Sequence, residues 1–143
     1  MCLAVFIAAD HPLPLLPWHD TKPDFHVIAL SDREKPVKKL LSSPHVRYAG
    51  SYEGCGCAFN VGREYPDYEY EKDELKSAED SRRKLYEYIL LNGIREMYSC
   101  NDGDNEKPIE SKSEISAEDI LDKTFVFKEG ELITIRKTPN QAL

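Results

Sequence analysis

Apolar positions along the chain fall into one long helical stripe and several short extended runs. Leu3-Ala4-Val5-Phe6-Ile7-Ala8-Ala9 is apolar on both faces, which predicts a central strand. Four prolines follow (Pro12, Pro14, Pro17, Pro23). Each fixes φ and removes a donor, so this stretch reads as a loop. Its Leu13, Leu15, Leu16 and Trp18 are expected to pack against the body. Residues 25–30 read as a second strand. Residues 36–41 read as a short helical turn with Pro36 near its start. Residues 45–52 and 55–59 read as further extended segments, joined by a turn near Glu53-Gly54.

The stripe covers residues 73–92. Leu75, Ala78, Leu85 and Ile89 recur at helical spacing, widened by Tyr86, Tyr88 and Leu90. Glu79 with Arg83 and Asp80 with Lys84 stand at i,i+4 in the favourable acid-first order. Gly93 follows, where a left-handed cap is wanted. Residues 94–100 then alternate like a strand, and residues 101–114 read as a polar loop. A second helix is expected from Ser116, with Asp119 at the capping-box position and Ile115 and Ile120 as a hydrophobic staple. Residues 124–128 and 131–136, around Glu129-Gly130, read as a closing hairpin. The sum is a single α+β domain over residues 1–143. It has a largely antiparallel sheet and one long helix packed on one face.

A chain of 143 residues suits one domain with a proper core. With 41% hydrophobic and 31% charged residues it is neither disordered nor membrane-like in composition. The apolar run Leu3–Ala9 is too short to span a bilayer. No Lys or Arg precedes it and Asp10 ends it, so it makes a poor signal peptide and the expected location is cytoplasmic. Reduced thiols are then expected for Cys2, Cys55, Cys57 and Cys100.

The net charge of −7 is concentrated. Eight acids stand between Glu64 and Asp80, opposed only by Lys72 and Lys76. The one compact basic run is Arg82-Arg83-Lys84. Such a surface repels a phosphate backbone, so no nucleic-acid partner is expected. Tyr65, Tyr68 and Tyr70 interleave with the acids. They suit either a surface for a basic partner or, the favoured reading, a packed connection with buried rings and wet hydroxyls.

Gly54-Cys55-Gly56-Cys57 is the segment that stands out. In an extended strand Cys55 and Cys57 would project from one face. Two such sulfurs can be small core residues, a soft-metal pair or a reactive thiol. The glycines permit close approach, and Glu53 beside them offers a charge, base or acceptor. Any functional pocket is therefore expected to border Glu53, Gly54, Cys55, Gly56 and Cys57. Other ligand types (Cys2, Cys100, His11, His19, His26, His45) are single and scattered, so no metal or cofactor is expected. Asp102-Gly103-Asp104-Asn105-Glu106 starts like a calcium loop but has Lys107 where glycine is needed and Ser113 in place of the final glutamate. His19-Asp20 has no linked nucleophile, and no phosphate-binding Gly-Lys-Ser/Thr follows the glycines of residues 50–56.

Met1-Cys2 followed by an apolar strand is similar to the start of class II glutamine amidotransferases and related hydrolases. Over those first nine residues the resemblance implies an amino-terminal Cys2 nucleophile, while the residue reading makes Cys2 the first residue of a buried strand. Met1-Cys2, Gly54-Cys55-Gly56-Cys57 and Asn101-Asp102-Gly103-Asp104 together resemble a small bacterial protein family of unknown function, which implies no activity. The expected function is a non-enzymatic binding or interaction domain for an unknown small molecule or protein, with no membrane partner. The alternatives are a thiol-dependent enzyme using Cys55 or Cys57 and a metal-binding protein.

Overall fold

A computed structural model describes residues 2–63 and 68–137. Its core is a six-stranded sheet of β1 (Leu3–Ala9), β2 (His26–Ile28), β3 (His45–Gly50), β4 (Glu96–Asn101), β5 (Ser111–Ile115) and β6 (Glu131–Ile135). The strand order is β2-β3-β1-β4-β6-β5. All pairings are antiparallel except β5 with β6. One long helix, α1 (Lys72–Asn92), packs on one face, giving the α+β fold.

β1 is interior, flanked by β3 and β4, and this accounts for its unbroken apolar run. Its Val5, Ile7 and Ala9 face Leu85, Tyr88 and Ile89 of α1 in one core layer. Its Ala4, Phe6 and Ala8 enter a second layer with Val37, Leu41, Val46, Tyr98 and Cys100. A 3₁₀ helix, Lys35–Leu40, carries Val37 into that layer and has its proline in the first turn, as the sequence predicts.

The helix stripe holds at Ala78, Leu85 and Ile89, all buried, while Leu75 is half-buried. Gly93 caps the helix in the left-handed region (φ 60°), with its N–H on Ile89 O. The Asp80–Lys84 pair forms at 3.1 Å. Arg83 pairs with Asp80 and Glu87 rather than Glu79. Arg82 and Ser81 are buried on the same helix. Arg82 donates to Phe59 O (3.2 Å) and Val61 O (2.9 Å), and Ser81 Oγ accepts the Tyr52 N–H (3.2 Å). The helix thereby anchors the chain on both sides of residues 53–57.

Four segments depart from the sequence reading. Residues 124–128 are not a strand, so there is no closing hairpin. The Phe127 N–H and C=O are taken by the buried Asn60 side chain (2.8 and 2.9 Å), which satisfies that backbone without a ladder. β6 pairs instead with β4 and with β5, which takes up the end of the supposed polar loop and Ile115 after it. β5 is an edge strand whose Ser-Lys-Ser-Glu positions are exposed or half-buried, so it carries no apolar alternation. The helix expected at Ser116 is a short 3₁₀ helix, Ala117–Leu121, with the predicted capping box. It stops at Asp122, whose carboxylate accepts the Thr124 N–H and hydroxyl (2.8 and 2.7 Å). Residues 55–59 form a turn and a 3₁₀ helix, Cys57–Asn60, not an extended strand.

In the proline loop Leu13 is buried, but Leu15 and Leu16 are largely exposed. Leu16 makes a backbone bridge to Val27 that covers the edge of β2. Tyr65 lies outside the described residues. Tyr68 does not bury its ring: it is 65% exposed and meets Tyr70 edge-on at 4.7 Å. No helix among the described residues is long and apolar enough to cross a membrane.

Candidate functional site

The candidate site is built where the chain leaves β3 and turns back against the start of β1. Ser51, buried at the end of β3, organises the turn. Its N–H and hydroxyl both donate to Cys55 O (2.8 and 2.5 Å), and its own carbonyl accepts the Gly54 N–H (3.0 Å). The Tyr48 hydroxyl closes the outer side by donating to Gly54 O (3.2 Å).

Gly56 then runs directly onto β1. Its N–H donates to Leu3 O at 2.8 Å. A Cβ at this position would stand 2.8 Å from Val5 Cγ2 and 3.1 Å from Leu3 O, so only glycine permits the approach. The approach delivers the next sulfur to the strand, and the Leu3 N–H donates to Cys57 Sγ at 3.2 Å. From the other side, the Asp102 N–H holds Cys2 O at 2.7 Å.

The result is a cluster of three thiols. The Sγ atoms of Cys2, Cys55 and Cys57 all lie within 4.8 Å of one another. Cys2 is exposed, and Cys55 and Cys57 are half-buried. Burial pushes the Cys55 thiol up to about 12, a rise reinforced by hydrogen bonds and charge from Cys57 and a hydrogen bond from Cys2 and opposed by the Cys57 N–H.

Cys2 and Cys55 open into a recess of about 430 Å³ whose rim carries Glu34, Glu53 and Asp102. No His, Lys or Arg among the described residues lines it. Arg33 reaches Asp102 from outside at 3.3 Å. The Tyr48 phenol in its wall is held protonated, by burial first and by the surrounding negative groups second. A larger groove of about 710 Å³ beside α1 is lined by charges of both signs, and among the described residues it gathers no cluster of metal-ligating side chains.

Of the residues singled out in the sequence, Glu53, Gly54 and Cys55 border the recess, while Gly56 and Cys57 stand behind it and shape it. The reading that left Cys2 apart from this segment is corrected by the fold, because β1 begins beside the turn. Tyr48 and Glu34 gave no signal in the sequence beyond their type, and Asp102 stood out only within the calcium-like stretch, not as part of this site. Cys100 is sealed in the second core layer with its thiol pushed up to about 12 by burial. His19 does not form an oriented base, since the Trp18 indole takes Asp20 at 2.7 Å. His26 is buried between Trp18 and Tyr48, in space that a side chain at residue 50 would occupy. The calcium-like stretch is a polar turn in which Asp104 pairs with Lys107 at 3.3 Å.

No family model, curated protein or solved structure matches this chain.

Proposed function

We propose that this domain binds one thiophilic metal ion, zinc(II) or copper(I), through Cys2, Cys55 and Cys57. The observation that carries the reading is the convergence of three sulfurs within 4.8 Å from two separate parts of the chain. In a tetrahedral zinc site with Zn–S bonds of about 2.3 Å, neighbouring sulfurs stand about 3.8 Å apart. Sulfurs that all lie within 4.8 Å need close by no more than about 1 Å to reach that spacing. Soft thiolates select copper(I) and zinc over hard cations.

Electrostatics support the same reading. The carboxylates of Glu34, Glu53 and Asp102 at the recess favour a cation and disfavour an anionic substrate. The Leu3 N–H on Cys57 Sγ is a donor that a metal-bound sulfur accepts. Three protein ligands would leave a fourth position for water or for a carboxylate such as Glu53, which lines the same recess. A thiol-dependent enzyme finds less support, because among the described residues the recess carries carboxylates but no His, Lys or Arg to stabilise a thiolate nucleophile.

Elemental analysis tests the proposal. Reduced protein incubated with excess zinc and passed through a desalting column should retain about one equivalent per chain. Cys2→Ser and Cys55→Ser should each lose most of it, while Cys100→Ser keeps it. Retention that is unchanged in Cys2→Ser would refute the site.

A further inference from the structure

The thiol cluster also has a chemistry that needs no metal. Cys57 Sγ lies 3.2 Å from the backbone nitrogen of Leu3, the atom that follows Cys2 in the chain, so this sulfur sits against the Cys2 backbone. Cys2 itself is exposed, and the sulfurs lie within 4.8 Å. Bridging the pair asks two sulfurs that lie within 4.8 Å to close to the bonding distance of about 2.05 Å. We propose that Cys2 and Cys57 form an oxidative modification site, in which a peroxide converts the pair to an intramolecular disulfide and leaves Cys55 a thiol.

The steps balance. The thiolate form of Cys2 attacks one oxygen of hydrogen peroxide. An S–O bond forms, the O–O bond breaks, and the departing hydroxide takes up a proton to become water. The Cys57 sulfur then attacks Cys2 Sγ. An S–S bond forms, the S–O bond breaks, and the sulfenic hydroxyl leaves with the Cys57 proton as a second water. The two thiols lose two electrons and two protons, and the peroxide receives them.

The geometry selects this pair within the trio. Cys57 Sγ is held against the Leu3 N–H next to Cys2, whereas Cys55 is fixed in its own turn by the two bonds that its carbonyl accepts from Ser51. A Cys55–Cys57 bridge would close a small ring over Gly56, whose backbone is already tied to Leu3 O. Cys100 is buried in the other core layer. The disulfide would remove two of the three sulfurs from the proposed metal site, so oxidation would release the ion and a bound ion would protect the thiols. The proposal shares the cluster with the metal reading but does not rest on it.

The test uses the full chain, reduced and metal-free, treated with hydrogen peroxide and mapped by peptide mass. The expected product is one disulfide per chain joining the peptides of Cys2 and Cys57. Cys57→Ser should form none and should accumulate a Cys2 sulfenic acid that a dimedone-type reagent traps. Cys55→Ser should still form the bridge. A disulfide that includes Cys55, a disulfide between chains, or wild-type protein that proceeds to Cys2 sulfinic acid with Cys57 still reduced would each overturn the proposal. Cobalt(II) titration of the reduced protein separates the two readings. Cobalt binding without the bridge defeats the redox site alone, and the bridge without cobalt binding defeats the metal site alone.

Discussion

At Gly56 a single hydrogen atom decides whether three sulfurs meet. Any side chain there must displace Val5 Cγ2 or the Leu3 carbonyl, both part of the central strand. Gly56→Ala should therefore destabilise the fold by about 1–3 kcal/mol, the usual cost of overpacking a filled site. It should also weaken zinc binding, because the turn retreats and carries Cys57 with it. A denaturant midpoint equal to wild type, with unchanged zinc retention, would show that the approach is loose. Cys55 makes a second prediction at this scale. Its thiol, raised to about 12, is protonated at neutral pH, so a metal must displace that proton. Apparent zinc affinity should rise about tenfold per pH unit for each proton displaced, and calorimetry in buffers of different ionisation enthalpy should detect the release. An affinity flat from about pH 6 to 8 would contradict thiol coordination.

Among the elements, α1 and the turn before β3 show how packing and buried charge hold the scaffold. Leu85 is fully buried against β1, and Leu85→Ala should cost about 2–5 kcal/mol by thermal or chemical unfolding. A loss below about half a kcal/mol would mean the helix presents another face. Glu96, buried at the start of β4, accepts the N–H groups of Ser42 and Ser43 at 3.0 and 2.7 Å. Burial alone would raise its pKa, but these donors outweigh it and hold the carboxyl below its ordinary value. A depressed folded value stabilises the protein above the ordinary glutamate range and stops doing so as pH falls through the folded value. Acid should therefore unfold the wild type with a contribution that Glu96→Gln lacks. At neutral pH that variant should be less stable by about 1–3 kcal/mol. Equal pH profiles for the two would exclude this role.

For the molecule as a whole, local pattern made the buried strand β1 and the helix α1 legible and left the exposed edge strand, the loop-borne core residues and the long-range partners dark. The apolar run of β1 and the stripe of α1 read correctly because burial on two faces or on one stripe writes itself into residue type. β5 was missed because an exposed edge strand needs no apolar alternation, and the false hairpin at residues 124–128 arose because Phe125 and Phe127 serve the core from a loop capped by Asn60. Half of the candidate site was visible in Gly54-Cys55-Gly56-Cys57. Cys2 was not attached to it, since only the tertiary path of β1 places the two segments together. The reduced, metal-free protein titrated with cobalt(II) tests that junction most directly. Thiolate ligation should give sulfur-to-cobalt charge-transfer absorption in the near ultraviolet that saturates at one equivalent and collapses in Cys2→Ser, Cys55→Ser and Cys57→Ser alike. No such absorption, or one that survives intact in Cys2→Ser, would contradict a site made by all three.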